Sequence, residues 1–312
     1  MSDTSTVLVT GGAGFIGSHI VDALLQRGDR PVVVDDLSTG KRSNLDPTVP
    51  FYHVDITNAR ALEDVFVRER PEIVSHHAAQ MDVRRSMADP AFDALVNVHG
   101  FINLLHLCAK YAVRKVVSAS TSAVYPESEA LPLEETHAIR PLSAYGLSKY
   151  VGEQYLRFYW DIYGLRFTVF RYGNVYGPRQ DPHGEAGVVA IFTEQMLSGV
   201  QPTLFGDGKK TRDYIYIDDV VSANLLALDG AGDGEVFNLG WGREIRDCEV
   251  FEAVRNALGM LVEPRYAPKR PGEMDRVALD NRKARAGLGW TPGCSFAEGI
   301  QRTVAFYKSR KV

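Results

Sequence analysis

Thr6-Val-Leu-Val-Thr-Gly-Gly-Ala-Gly-Phe-Ile-Gly17 decides how the rest of the chain is read. Val7, Leu8 and Val9 form a short apolar run, the pattern of a strand buried on both faces. Gly11, Gly14 and Gly17 follow at the spacing G-x-x-G-x-x-G. Residues 18–26 read as an amphipathic helix, with Ile16, Ile20, Ala23 and Leu24 along one side. A glycine-rich turn between a strand and a helix suits a pyrophosphate. The backbone can approach closely, and the helix N-terminus offers free N–H groups and partial positive charge.

A glycine triplet alone is equally well turn chemistry, so its weight depends on the residues downstream of it. The second apolar run, residues 31–34, ends in Asp35, 18 residues after Gly17. That is close to the offset of about 20 at which an acidic residue reads an adenosine ribose. A carboxylate there accepts hydrogen bonds from ribose hydroxyls and repels a 2′-phosphate, so NAD is expected over NADP. Lys41 and Arg42 lie nearby and keep NADP open, and a plain turn-capping role for Asp35 is the simpler alternative.

The chain has 312 residues, 45% of them apolar, enough for a large core or for one domain with a smaller lobe. A net charge of -4 with no basic run argues against a nucleic-acid partner. The three cysteines, Cys108, Cys248 and Cys294, fit no metal spacing and suggest reduced thiols in the cytoplasm. No apolar stretch reaches the 18 or so residues of a membrane span, so no membrane is expected. Residues 1–5 run straight into the first strand and leave no room for a signal peptide.

Candidate strands at 6–10, 31–35, 51–54, 73–76, 115–119 and 166–171 alternate with helical stretches at about 15–26, 59–68, 90–111 and 145–163. This alternation predicts an α/β fold with a doubly wound parallel sheet of Rossmann type, followed by a smaller α/β lobe. In such a sheet the ligand sits at the carboxyl ends of the strands. Asp55 and Ile56 follow the third strand and could approach the adenine. His77-Ala78-Ala79-Gln80 follows the fourth, where small alanines would let a cofactor pass close to the backbone. His76 and His77 have no Cys or acidic neighbour at metal spacing, so no metal is expected.

Two stretches carry the chemistry. Ser120-Thr121-Ser122-Ala123-Val124-Tyr125 closes the fifth strand, and Tyr145-Gly-Leu-Ser-Lys149 opens a helix. Tyr and Lys four apart share one helix face. Free tyrosine has a pKa near 10 and is a poor base, but a neighbouring ammonium stabilises the phenolate. With a hydroxyl from Thr121, the set could take a proton from an alcohol while hydride leaves to NAD⁺. Taken alone, Tyr and Lys at this spacing usually form a solvated face. Here they lie downstream of a dinucleotide fingerprint.

The glycine-rich turn, the Ser/Thr cluster before Val124-Tyr125 and the pair Tyr145 and Lys149 resemble the extended short-chain dehydrogenase/reductase family. Arg171-Tyr-Gly-Asn-Val-Tyr-Gly-Pro-Arg-Gln180, Phe205-Gly-Asp-Gly-Lys-Lys-Thr-Arg-Asp-Tyr214 and Arg270-Pro-Gly-Glu273 narrow the resemblance to nucleotide-sugar enzymes, above all UDP-glucose 4-epimerases. The resemblance implies that Thr121, Tyr145 and Lys149 are catalytic. It implies a cofactor site of Gly11, Gly14, Phe15, Ile16, Gly17, Asp35, Asp36, Asp55, Ile56, Ala78, Ala79, Gln80, Tyr145, Lys149 and Tyr172. It implies a UDP-sugar site of Thr121, Tyr145, Asn174, Val188, Val189, Thr203, Phe205, Arg212, Arg270, Glu273 and Val277. Arginine forks suit a diphosphate, and an acidic side chain suits ribose hydroxyls. Without the resemblance, Arg212-Asp213 and Arg270/Glu273 would read as surface ion pairs.

The implied activity is interconversion of UDP-glucose and UDP-galactose through a 4-keto sugar, with the N-acetylated pair as further substrates. A UDP-uronic acid 4-epimerase or decarboxylase is the alternative enzyme, and a non-catalytic NAD-sensing protein the alternative of another class. Related 4,6-dehydratases carry Asp-Glu where this chain has Ser122-Ala123, which disfavours dehydration. Related decarboxylases usually have a Glu at the Ala123 position. Many related epimerases carry an aromatic residue at Gly173, so extra room beside the sugar is expected there. The cofactor half is expected at about 1–172 plus 213–236, and the substrate lobe at about 173–212 plus 237–312. A homodimer is expected through the helices at 90–111 and 145–163, whose apolar residues include Phe101, Leu104, Leu105, Tyr150, Leu156 and Phe158.

Overall fold

The computed structural model describes residues 5–183, 187–269 and 274–310. Its first half comprises β1 (Thr6–Thr10), α1 (Phe15–Arg27), β2 (Arg30–Asp35), β3 (Phe51–His53), α2 (Ala59–Glu69) and β4 (Ile73–His76). Then come α3 (Val83–Ala88), α4 (Pro90–Ala94), a π-helical turn (Leu95–Gly100), α5 (Phe101–Lys110), β5 (Lys115–Thr121), α6 (Ala144–Tyr163) and β6 (Arg166–Tyr172). The remainder is β7 (Asn174–Tyr176), α7 (Val188–Leu197), β8 (Thr203–Phe205), β9 (Thr211–Arg212), β10 (Tyr214–Tyr216), α8 (Ile217–Leu228), β11 (Glu235–Leu239), β12 (Ile245–Arg246), α9 (Asp247–Leu258), β13 (Arg265–Ala267), α10 (Arg282–Leu288) and α11 (Phe296–Ser309).

Seven strands form one parallel sheet in the order β11-β6-β5-β4-β1-β2-β3. Strand alternation feeds two cores. Val7, Val9 and Val33 pack on one face with Ile20 and Leu24 of α1, while Leu8, Val32 and Val34 pack on the other with Leu104 and Leu105 of α5. Burial on both faces is why these strands read as continuous apolar runs. The strand order reverses between β1 and β4, and this opens the crevice in which such sheets bind ligands.

The expected doubly wound sheet is present, with four differences in detail. β11 lacks a strong pattern of its own, and it extends the sheet to Leu239 rather than ending near 236. The stretch 90–111 is not one uniform α-helix but passes through the π-helical turn at Leu95–Gly100. Pro90–Lys110 is also a 21-residue helical run long and apolar enough to cross a membrane, contrary to the expectation that no such stretch exists. Phe101, Leu104, Leu105, Leu107 and Cys108 of this run are buried in the protein, the use a core helix makes of such composition. Finally, Phe101, Leu104, Leu105 and Leu156 are buried here, and Tyr150 packs beside Val124 and Tyr125. Of the apolar residues expected to face a partner, Phe158 is exposed.

The lobe beyond β6 is built from three short ribbons, β7 with β10, β8 with β13 and β9 with β12. Phe192 of α7, Phe251 and Val254 of α9, and Ile300 of α11 join the core that also holds Val7 and Val9.

Candidate active site

At the carboxyl edge of the sheet, Gly11 and Gly17 of the first turn cannot be replaced without collision. Gly11 has φ +68°, and a Cβ there would stand 2.5 Å from the backbone N of Ala78, just after β4. A Cβ on Gly17 would collide with Gly11 O. α1 starts at Gly14 with no side-chain cap and no acidic residue in its first turn. Its first N–H groups, from Phe15, Ile16 and Gly17, therefore remain donors for an anion.

Asp35 closes β2 beside this turn. Its Oδ2 accepts from Ala13 N at 2.9 Å and its Oδ1 from Leu37 N at 2.8 Å, leaving lone pairs on both oxygens. Burial raises the Asp35 pKa, and the two backbone donors oppose that rise. A Cβ at Gly40 would come within 2.7 Å of the carboxylate, so glycine keeps that space open. An anion cradle, followed by a carboxylate with free lone pairs, fits NAD. Arg42 points to the carbonyls of Asp46, Pro47 and Val49 and lies 5.1 Å from the Phe51 ring centroid. That removes one of the two cations that kept NADP open. Nucleotide released from the purified protein by denaturation is expected to be NAD by mass; recovery of mainly NADP would refute this role for Asp35.

The other expected cofactor residues divide. Asp36 accepts from Ser38 N and Asp55 from Thr57 N, both at the ends of strands on the crevice side. Ala78 and Ala79 are half-buried beside the glycine turn. Ile56 buries its side chain against Gly100, so its backbone alone can face a ligand. Two others have side-chain polar groups engaged within the protein. Gln80 is buried; its Nε2 donates to Asp82 O and Asp93 Oδ1 and its Oε1 accepts from Asp82 N, so the polar end of its side chain is held by the protein. The Tyr172 hydroxyl accepts from Asn224 Nδ2 at 2.9 Å inside the core. His76 is likewise a core residue, bonded to Thr10 Oγ1 at 2.7 Å and stacked on Phe101.

The catalytic candidates meet where α6 packs on the end of β5. Ser143 caps α6 by accepting from Gly146 N at 3.1 Å. A Cβ on Gly146 would collide with Ala123 O, so glycine lets the helix start lie directly on the 122–124 turn. Thr121 caps that turn through Ala123 N. Tyr145 and Thr121 thereby line one cavity of about 520 Å³. Lys149 is buried one helical turn beyond Tyr145, and burial lowers its pKa to about 8 against the opposing pull of Asp93 and Glu153.

The far walls of the cavity come from the lobe: Asn174, Val188, Thr203, Phe205, Arg212 and Val277 all line it. Val189 does not, because it points into the core behind α7. Arg270 and Glu273 lie outside the described residues. Gly173 corrects another expectation. A Cβ there would stand 2.7 Å from Asp213 O, so the missing side chain serves a close backbone approach and adds no room beside the sugar. Asp213 itself, between β9 and β10, is fully buried and accepts from the backbone N–H groups of Trp241, Gly242 and Leu279, tying this link to two later segments. Burial pushes its pKa up to about 7.

Sequence reasoning missed several lining residues, among them Ser122, Gln195, Lys210 and Tyr214. Lys210 sits inside the quoted Phe205–Tyr214 motif, which was the available signal. It also missed a buried pair behind the site. Arg171 Nη2 and Nε reach Glu153 Oε2 and Oε1 at 2.6 and 3.0 Å, and Ser120 Oγ donates to Glu153 Oε1 at 2.6 Å. This pair ties α6 to β5 and β6.

Comparison with known proteins agrees with this geometry. Residues 7–240 match the NAD dependent epimerase/dehydratase family. The chain is 45% identical over 309 residues to the UDP-glucose 4-epimerase of Mycolicibacterium smegmatis, covering 97% of this chain and 98% of that one. It superposes on the Thermotoga maritima UDP-glucose 4-epimerase solved with UDP-glucose with a TM-score of 0.96, at 47% identity, covering 98% and 100% of the two chains. The Thermus thermophilus UDP-glucose 4-epimerase solved with NAD gives a TM-score of 0.93 at 48% identity, covering 97% and 99%. The chain belongs to the NAD-dependent epimerase/dehydratase family.

Proposed function

We propose that the protein is a UDP-hexose 4-epimerase that interconverts UDP-glucose and UDP-galactose. The observation that carries this reading is the single cavity in which Tyr145 and Thr121 face Asn174, Arg212 and Val277, with Lys149 buried behind Tyr145. Bound NAD supplies a reversible acceptor for the hydride of sugar C4. Tyr145 takes the proton from O4 and later returns it. Lys149, as an ammonium ion, stabilises the phenolate. Thr121 holds the O4 hydroxyl in line with Tyr145. Asn174 and Arg212 anchor the diphosphate, the Arg as a charged fork. The anchored nucleotide leaves the 4-keto sugar free to turn over and present its other face. Ser122 and Ala123 carry no acid, so these two positions supply no acid–base pair for removing water.

The test is incubation of pure protein with UDP-glucose, UDP-galactose, their N-acetyl forms and UDP-glucuronate, without added NAD, followed by proton NMR. Interconversion of the glucose and galactose forms is expected. Turnover of UDP-glucuronate alone would favour the uronic acid reading, and no turnover of any sugar would favour a sensor.

We further assign about 1–172 plus 213–239 to the cofactor half and the rest to the substrate lobe, a division supported by β11 joining the sheet. A homodimer is supported by Leu95, Leu147, Phe158, Ile162 and Tyr163, which lie exposed along the π-turn and α6. Light scattering at micromolar concentration is expected to give twice the chain mass, and Phe158→Glu to reduce it; a monomeric wild type would refute the dimer. A cytoplasmic setting without nucleic-acid or membrane partners agrees with the net charge of -4 and with three free cysteines.

Val277 bears on sugar size. It is buried in the cavity wall, and bulk at this point would exclude an N-acetyl group. Overpacking costs roughly 1–3 kcal/mol, enough for about tenfold or more in preference. Val277→Tyr is therefore expected to suppress kcat/KM on the N-acetyl sugars selectively. Equal losses on both sugar pairs would remove Val277 as the gate.

A further inference from the structure

Behind the Tyr145 and Lys149 pair lies a closed set of polar side chains that the proposed chemistry does not use. Asp93, on α4, is 1% exposed. Its Oδ1 accepts from Gln80 Nε2 at 2.9 Å and from Asn97 Nδ2 at 3.1 Å. Asn97, turned inward by the π-helical turn, also exchanges hydrogen bonds with the backbone N and O of Gln80, both at 2.9 Å. Asn97 Nδ2 reaches Ser148 Oγ at 3.2 Å, and Ser148 Oγ donates to Tyr145 O at 3.0 Å. The set therefore runs from α4 to the backbone of the first turn of α6. Asp93 Oδ2 is buried with no hydrogen-bonding partner among the described residues. A carboxylate with an unmatched oxygen in the interior is costly unless an opposite charge stands near it.

We propose that Asp93 is a positioning residue for the catalytic pair: a buried counter-charge that keeps Lys149 an ammonium ion and, through Asn97 and Ser148, holds the start of α6 in place. This rests on the roles given above to Tyr145 and Lys149. The groups that act on Lys149 leave Asp93 as its counter-charge. Glu153, on the same helix, is held by Nε and Nη2 of Arg171 from β6 and by Ser120. His76 and His77, on and just after β4, are kept neutral by burial, the first well below its usual range and the second near 3. Of the two carboxylates that oppose the effect of burial on the lysine, Asp93 acts more strongly than Glu153. Because burial already brings Lys149 down to about 8, loss of this support would strip its proton within the neutral range.

The experiment compares the wild type with Asp93→Asn, which keeps the shape and removes the charge. Lys149 is titrated by competitive acetylation with acetic anhydride, read by mass spectrometry of its peptide, between pH 6 and 10. Melting curves and the pH profile of kcat on UDP-glucose accompany it. The expected result is a fall in the Lys149 midpoint of about one pH unit, the lower end of what an adjacent opposite charge does. The variant should lose about fivefold in kcat at pH 8 and far less at pH 6.5, since a one-unit shift leaves about a tenth of the lysine protonated where half was before. An unchanged Lys149 midpoint, or an equal loss of activity at every pH, would overturn the proposal. Asp93→Ser carries the same expectation and serves if the asparagine variant does not fold. The labelling reads Lys149 whether or not the protein epimerises a sugar, so failure of the epimerase reading is distinguishable from failure of this one.

Discussion

Tyr145→Phe is expected to cut turnover of UDP-glucose by a factor on the order of 10² or more, the scale of losing a general base. Phenylalanine keeps the ring and its packing at the start of α6, so NAD and UDP binding should stay near the wild-type values. The Ser143 cap and the close contact of Gly146 with Ala123 do not involve the phenolic oxygen. The effect should therefore fall on kcat rather than KM. Steady-state kinetics with nucleotide binding measured by calorimetry separates the two. A variant turning over at close to the wild-type rate would show that another group takes the proton. Wild-type activity should also decline as pH rises through about 8, because burial lowers Lys149 to that value and the ammonium is lost above it.

The second large effect concerns stability. Glu153 and Arg171 are both nearly fully buried, with side-chain exposures of 4% and 6%. Removing Glu153 leaves the Arg171 guanidinium without its charged partner. Breaking a buried pair in this way costs about 3–5 kcal/mol, whereas replacing both members with apolar residues of similar volume is often close to neutral. Glu153→Leu is thus expected to lower the denaturant midpoint sharply, and Glu153→Leu with Arg171→Met to recover much of the loss. The double variant keeps a bond-deficient Tyr125, whose hydroxyl accepts from Arg171 Nη1 at 2.8 Å, so recovery should be incomplete. A loss below about 1 kcal/mol for the single variant, the scale of an exposed pair, would mean that water reaches this pair.

Much of this architecture is legible in the chain because it is local. β1, β2 and β4 are runs of apolar residues bounded by turn chemistry, and α1 opens on glycines whose spacing has a backbone reason. Tyr145 and Lys149 share a helix face by simple periodicity. What escaped the sequence depends on distant partners. β11 is five residues with a polar Asn238 near its end, and the side-chain amide of that asparagine finds its partners in Tyr125 and Leu133, distant in sequence. The Glu153 and Arg171 side chains look like surface charges until α6 is laid on the sheet. Gly173 looked like space beside a sugar, but the backbone of Asp213 fills it. Leu104 and Leu105 looked available to a partner because their helix is apolar on more than one side, yet both cover the sheet.

The most direct test of the account uses UDP-glucose carrying deuterium at C4, incubated with pure protein and no added NAD in ordinary water. The account predicts UDP-galactose with the deuterium retained at C4, because the hydrogen removed from one face is returned to the other within the same closed site. Product bearing protium at C4, or no UDP-galactose at all, would contradict it.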